Sequence, residues 1–254
     1  MTTQEFLKRA AKTLEQAGVE SARLDTLVLL EDALGLDRAL ILAHPETKID
    51  SLTEVDLNNK VMQRAGHTPL AYIRGKAQFY GRTFAINEHV LVPRPETEAM
   101  IDLLKQVARR QAPVTIVDIG TGSGAIAVTA KLEFPTAKVI AIDIDPEALQ
   151  VAHKNAQQLN ADIELLQGNL LEPLTSNVYR PTSILANLPY VPERYAINQA
   201  AEHEPRHAIF GGKDGLNLYR RFWEQIATLP SKPTYVLTES LPTQHADQAE
   251  LAKA

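Results

Sequence analysis

VTIVDIGTGSGAIA, residues 114–127, decides the fold of this chain. β-Branched and apolar residues (Val114, Ile116, Val117) run into Asp118, glycines follow at 120, 122 and 124, and an alanine-rich helical stretch comes next. Strand, tight turn and helix in that order make the first half of a βαβ unit. The glycines suit positive φ and close approach of the backbone to a ligand. The free N–H groups that open the helix face the same ligand. A G-x-G-x-G run is also what a plain turn looks like, so its meaning depends on what surrounds it.

Downstream, the alternation continues. Lys138–Asp143 reads as a second strand closing in an acid, and Pro146 opens a helix through Leu159. Further strands are expected at Asp162–Leu166, Ser183–Ala186 and Thr234–Thr238, with a helix over Gly215–Thr228. This is an α/β class: a mostly parallel, doubly wound, Rossmann-like sheet that binds ligands at the carboxyl ends of its strands. Upstream, residues 2–66 read only as helices. Thr2 and Glu5 have capping-box spacing before Phe6, Ala10 and Leu14; Leu24, Leu27, Val28 and Leu34 form the next stripe, ended by Gly35. Asp37 is placed to cap a short third helix, and Ser51 with Glu54 repeats the capping spacing before Val61, Met62 and Ala65. The expected organisation is a small helical bundle over 1–74, a hairpin connector over 75–92 (QFYGRTFAI around Gly81), and the α/β domain over 93–254. In HVLVPRPETEAM, Pro93 and Pro95 hold Arg94 extended before Glu96, Thr97 and Glu98 open a helix. That segment reads equally as a stiff interdomain loop and as a lid beside the glycine site.

Composition narrows the classes. With 254 residues, 44% hydrophobic and 22% charged, the chain is an ordinary soluble globular protein. It has no apolar run near the length of a membrane span and no signal-peptide core at its start. Zero cysteines exclude disulfides, thiolate metal sites and a cysteine nucleophile, and fit a cytoplasmic location. His44 and His67 sit at helix ends as surface histidines do, so no metal is expected. A net charge of −5 argues against a protein whose main business is gripping nucleic acid through phosphates, although a local basic patch is compatible with it.

The chemistry gathers at the expected strand ends. Asp143 lies 23 positions after Gly120, where a carboxylate accepts both hydroxyls of a ribose diol. Asp145 is better placed than Asp143 to cap the following helix. Glycine loop plus spaced acid points to a nucleoside cofactor, NAD or S-adenosylmethionine, and the loop lacks the G-x-x-G ending of the dinucleotide fingerprint, which favours the methyl donor. At the end of the fourth strand stands Asn187-Leu188-Pro189-Tyr190. There the Asn187 oxygen and the Leu188 carbonyl are suited to accept the two N–H bonds of a planar –NH2 group, with the Tyr190 ring on its plane. Two acceptors pull such a nitrogen toward tetrahedral geometry, and positioning against a sulfonium methyl supplies much of the rest.

DIGTGSGAIA, SILANLPYVP and VLVPRPETE together resemble the HemK/PrmC methyltransferases, which methylate the side-chain nitrogen of the glutamine in the Gly-Gly-Gln motif of peptide chain release factors. LDTLVLLEDALG, PLAYIRGKAQFYGRTF and EPRHAIFGGKDGLNLYR are similar to the same family, so the resemblance covers almost the whole chain. It implies a class I methyltransferase domain in which Gly120, Thr121, Gly122, Ser123 and Gly124 cradle the methionine side of S-adenosylmethionine. It further implies that Asp143 holds the ribose, that Asn169 and Leu170 flank the adenine, and that Asn187 also touches the cofactor. Asn187, Leu188, Pro189 and Tyr190 would bind the glutamine, with the PRPETE segment, Arg94 and Glu96 included, closing over it. A release factor as protein substrate follows from the same likeness; the hydropathy and net charge lead us to expect no membrane or direct nucleic-acid partner, and a monomer is expected. The bundle, which has no cluster of catalytic residue types, is expected to dock the substrate.

Two departures keep alternatives open. The family usually has Asn-Pro-Pro-Tyr, and Asn-Leu-Pro-Tyr is what ribosomal RNA adenine dimethylases tend to show; those enzymes lack PRPETE and GGKDGLNLYR. RNA adenine methylation is therefore the second reading. Only about fifteen residues follow the fifth strand, where sheets of this type normally add an antiparallel pair. An unpaired edge strand is expected, and with it a third reading, a truncated cofactor-binding protein with little turnover.

Overall fold

The computed structural model describes residues 1–108, 114–174 and 180–253. They fall into two compact units, Met1–Gly75 with Asn198–His203, and Lys76–Ile197 with the residues from Glu204 onward.

The first unit holds helices α1 (Thr3–Gln16), α2 (Ala22–Leu34), α3 (Arg38–Ala43), α4 (Ser51–Ala65) and α5 (Leu70–Arg74). Thr2 and Glu5 form the expected capping box at α1, with bonds of 3.2 and 2.8 Å, and Phe6, Ala10 and Leu14 are buried. Gly35 ends α2 at a φ of 64°. The start of α4 differs from expectation: Asp50, not Ser51, is the cap, accepting from the N–H of Leu52 and Thr53 at 2.9 and 3.0 Å. Its second oxygen takes the Thr53 hydroxyl at 2.6 Å, a service one serine hydroxyl cannot duplicate. Asp37 occupies the cap position of α3 without a side-chain bond to the backbone. Leu24 and Met62 turn out exposed. Helix α2 packs against both α1 and α4, so its buried positions wrap around it rather than forming a single stripe. Within the bundle, Asp25 on α2 and Arg64 on α4 form a pair at 2.6 Å, both nearly buried.

The second unit opens with a hairpin, β1 (Lys76–Phe79) and β2 (Arg82–Ala85), turning at Tyr80 and Gly81 with φ of 50° and 72°. Two positive φ values in a two-residue loop match the right-handed twist of the flanking strands. Helix α6 (Glu98–Ala108) leads to β3 (Thr115–Ile119), β4 (Lys138–Asp143), β5 (Glu164–Gln167), β6 (Ser183–Ala186) and β7 (Tyr235–Thr238). All five are parallel, in the order β5-β4-β3-β6-β7. Between and after them run α7 (Ala125–Glu133), α8 (Pro146–Gln158), α9 (Arg206–Ile209), α10 (Asn217–Thr228) and α11 (His245–Leu251). Alternate residues serve opposite faces. Ile116, Val139, Ala141 and Leu185 pack with α6, α7 and the hairpin's Phe79 and Phe84. Val117, Ile140, Ile142 and Ile184 pack with Tyr219 and Phe222 of α10. A parallel sheet needs both faces covered, and its strands accordingly read as near-continuous apolar runs. Among the described residues β7 pairs on one side only, with β6.

The Asp25–Arg64 pair yields a stability test. Arg64→Met should lower bundle stability by about 3 kcal/mol, because Asp25 stays buried without its counter-charge. In urea unfolding, Asp25→Leu combined with Arg64→Met should recover most of that loss; a single variant as stable as wild type would remove the pair from the stability of this unit.

Candidate active site

The loop between β3 and α7 holds Gly120, Gly122 and Gly124 at φ of 70°, 53° and 78°. Gly120 and Thr121 donate to the Ile142 carbonyl at 2.8 and 3.0 Å, tying the loop to the end of β4. At Gly124 a Cβ would lie 3.1 Å from that of Ala152, so glycine there lets α7 start directly against α8. At Gly122 the space is open and the backbone faces a cleft of about 350 Å³, within the size range of small-molecule sites.

Two carboxylates hold this loop. Asp118 is fully buried; one of its oxygens accepts from the Thr121 hydroxyl at 2.6 Å and the Ala127 N–H at 3.2 Å, while Oδ1 has no partner among the described residues. Burial pushes its carboxyl up to about 7, with the two hydrogen bonds opposing. Asp143 accepts from the Gly122 N–H at 2.8 Å and, through its other oxygen, from the Asp145 N–H at 3.0 Å. Burial raises its pKa, again against its hydrogen bonds. Each Asp143 oxygen keeps a second lone pair for a ligand. Asp145 accepts from the Glu147 N–H at 2.9 Å, the cap expected at α8.

A third group went unread in the sequence. Asn155, with no exposed surface, donates to the carbonyls of Ala85 and Ser123, both at 2.8 Å, and accepts from the Ala85 N–H at 2.7 Å. One amide thus joins the hairpin to the glycine loop. Its signal is a polar residue in the apolar spacing of Ala148, Ala152 and Ala156.

At the end of β6, Asn187 donates from Nδ2 to the Thr97 hydroxyl at 3.0 Å. That leaves Oδ1 as its free acceptor among the described residues. Leu188 is buried, and its N–H donates to the Tyr219 hydroxyl at 3.2 Å; that hydroxyl donates to the Glu239 carbonyl at 2.5 Å, with the Ala186 carbonyl also in range at 3.1 Å. The Tyr190 hydroxyl donates to Glu239 at 3.0 Å, and burial together with that carboxylate raises its pKa. Gln244 Nε2 bridges the carbonyls of Tyr190 and Asp214 at 2.9 and 2.8 Å. The GGKDG stretch lies so close that a Cβ on Gly211 would strike the Pro189 carbonyl and one on Gly215 the Tyr190 carbonyl.

The VPRPET segment is tied at three points. Glu204, almost wholly buried, accepts from the Val92 N–H at 2.9 Å and from the Arg94 guanidinium at 2.6 Å. Thr97 supplies the third tie, to Asn187. Glu204 had no signal beyond its place in EPRH, since its partners are more than a hundred residues away.

Of the residues singled out in the sequence, Gly120, Thr121, Gly122, Ser123, Asp143, Asn169, Leu170, Asn187, Leu188, Pro189 and Arg94 line the one cleft. Gly124 lies behind it, packed against α8, Tyr190 is turned to Glu239, and Glu96 is exposed. Leu170 is held at a φ of 58°, a costly conformation for leucine that clusters at ligand sites. The cradle suits S-adenosylmethionine: glycine backbone open to the cleft, a carboxylate with spare lone pairs at the end of β4, and amide and carbonyl acceptors at the end of β6.

Residues 5–75 match the PrmC N-terminal domain, and residues 111–186 a methyltransferase domain. The chain is 38% identical over 229 residues to a release factor glutamine methyltransferase of Koribacter versatilis, covering 89% of this chain and 81% of that one. It is 38% identical over 242 residues to the protein of that name in Bacillus subtilis, covering 92% and 83%. Among solved structures, the hMettl16 catalytic domain aligns over 82% of this chain and 74% of its own at a TM-score of 0.55 and 15% identity. A methyltransferase from Pyrococcus furiosus aligns over 80% and 87% at 0.50 and 18%. At those identities the two structures speak for the Rossmann-like methyltransferase fold alone. Among the described residues no helix is long and apolar enough to cross a membrane.

Asp118 makes the site sensitive to pH. Its folded pKa lies above the ordinary carboxyl value, so the native state keeps a proton that the unfolded chain has lost. The associated stability is full below about pH 4 and falls as pH rises toward 7, by up to about 1.4 kcal/mol per unit. Unfolding of Asp118→Asn measured at pH 5 and pH 7.5 should show a shallower loss than wild type, by about 1–3 kcal/mol. Parallel pH profiles would mean that Asp118 does not titrate in this range.

Proposed function

This chain belongs to the family of release factor glutamine methyltransferases, and from that membership we propose that it transfers a methyl group from S-adenosylmethionine to the side-chain amide nitrogen of the glutamine in the Gly-Gly-Gln motif of peptide chain release factors. The observation that carries the reading is the Asn187 amide: its –NH2 is engaged by Thr97, which leaves its oxygen as an acceptor, with the Leu188 carbonyl next along the chain. Two such acceptors fit the two N–H bonds of a primary carboxamide.

S-adenosylmethionine supplies an electrophilic methyl group on a sulfonium. Gly120, Thr121, Gly122, Ser123 and Gly124 would hold its methionine part, Asp143 its ribose, and Asn169 with Leu170 its adenine. Asn187 Oδ1 and the Leu188 carbonyl hold the two amide protons of the glutamine and orient its nitrogen lone pair. Pro189 stiffens the turn. Tyr190 contributes through its backbone carbonyl, which Gln244 fastens, while its hydroxyl is held by the Glu239 carboxylate. Arg94 and the VPRPET wall exclude water from the cleft, pinned by Glu204 and Thr97; Glu96 stands at its outer rim. No strong base enters this scheme: orientation and acceptor bonds do the activating, the neutral thioether is the leaving group, and the glutamine nitrogen, cationic once it carries the methyl, is acidic enough to give its proton to water. The bundle over 1–74 docks the release factor, the hairpin over 75–92 connects, and residues 93–254 carry the chemistry. The protein works as a monomer in the cytoplasm, without nucleic acid or metal.

Replacing Asn187 by Ala should leave cofactor binding measurable in calorimetry and cut glutamine methylation by about a hundredfold or more, the scale for losing one transition-state partner. Turnover near that of wild type would reduce the turn to a structural role.

Leu188 tests the substrate. Its N–H has a partner in Tyr219, whose hydroxyl keeps the Glu239 carbonyl if that N–H is removed. Leu188→Pro should therefore preserve glutamine methylation within about tenfold, roughly 1.4 kcal/mol. In an assay offering a release factor and ribosomal RNA side by side, adenine methylation by wild type with none on glutamine would overturn the proposal.

A further inference from the structure

The helical unit contains a second, separate groove of about 490 Å³ along α1 and α3, with Leu7, Ala11, Ile41 and Leu42 as its apolar lining. Leu42 is nearly half exposed, at 46%. Lys8, Lys12 and Arg23 border it, with Glu15 the one acid among its lining residues.

The charges there are unlike those elsewhere in the bundle. Residues 1–75 contain nine lysines and arginines. Arg9, Arg38, Lys60, Arg64 and Arg74 are each paired with a carboxylate. Lys8, Lys12, Arg23 and Lys48 have no ion pair among the described residues, and the first three border this groove. Lys8 and Lys12 stand four apart on α1, where like charges repel and slightly weaken the helix. Among the described residues no ion pair offsets that repulsion, and a partner carrying the opposite charge would. Between Gln4 and Glu15 the groove follows α1 for about 16 Å, three turns of a second helix.

We propose that this groove docks an acidic amphipathic helix of the protein substrate, its apolar side chains against Leu7 and Leu42 and its carboxylates against Lys8, Lys12 and Arg23. The inference rests on the release-factor reading and adds to it which surface of the bundle meets the substrate. An apolar floor with a cationic rim suits a helix in a groove; a nucleic-acid backbone would use the rim and leave the floor bare.

The test uses the full chain with three variants: K8E/K12E/R23E, L42D for the floor, and K48E as the unpaired cation away from the groove. Thermal melts establish that each is folded. Binding of an intact release factor is measured by calorimetry at low and moderate salt, and methylation of a short Gly-Gly-Gln peptide is measured in parallel. The triple variant should bind the factor at least tenfold more weakly and lose most of the salt dependence, L42D should bind several-fold more weakly, and K48E should match wild type. Peptide methylation should stay within twofold throughout. Should the triple variant fail to fold, L42D alone decides. Wild-type affinity for the factor in the triple variant or L42D, equal losses on factor and peptide, no binding of the factor by wild type, or RNA binding that depends on the three cations would each overturn the proposal. If wild type methylates no glutamine peptide while the factor still binds through the groove, the glutamine reading fails and the docking surface stands.

Discussion

Everything in the cleft follows from where the chain changes direction beside β3. From β3 it winds through β4 to β5 on one side, and then returns to the other side for β6 and β7. Loops leaving β3 and β6 at their carboxyl ends must therefore part, and a crevice opens between them. The glycine loop forms one lip and the Asn187–Tyr190 turn the other. Leu188 packs so near Gly120 that a Cβ on that glycine would lie 3.2 Å from its side chain. The two lips are thus fitted to each other.

Each lip is kept in shape by polar groups as well as by apolar packing. The loop rests on Asp118, Asp143 and Asn155; the turn rests on Tyr219, Glu239 and Gln244. A buried polar group is costly unless bonded, and most of these bonds are made to backbone N–H or carbonyl groups, those to the Thr121 and Tyr190 hydroxyls being the exceptions. Such bonds fix the chain's path without depending on the identity of the loop side chains. The Glu204 carboxylate acts likewise on the wall at Val92 and Arg94.

The strands were legible in the sequence because burial on both faces leaves runs such as KVIAID and SILA, whose bounds agree with β4 and β6. The glycine loop was legible because positive φ leaves few choices of residue. At Ser51 the reading slipped by one position, since two neighbouring residues both suit a cap and only backbone geometry chooses between them. The supports of the site were not legible. Asn155 to Ala85 spans 70 residues and Arg94 to Glu204 spans 110, and no local spacing announces such pairs. The grouping along Lys8, Lys12 and Arg23 was hidden for the same reason, because Arg23 joins the other two only once α1 and α2 are packed.

The Tyr219 hydroxyl has a consequence for how this turn changes over generations. Leucine codons that begin CU and proline codons that begin CC differ by a single base, so the step between the two residues at position 188 can take one mutation. In most buried turns that step would strand an acceptor or create a clash, and selection would close the route. Here the hydroxyl accepts an N–H when leucine is present and keeps its own donor bond to the Glu239 carbonyl when it is not. Lineages can therefore drift between the two spellings of the turn without passing through a damaged ancestor.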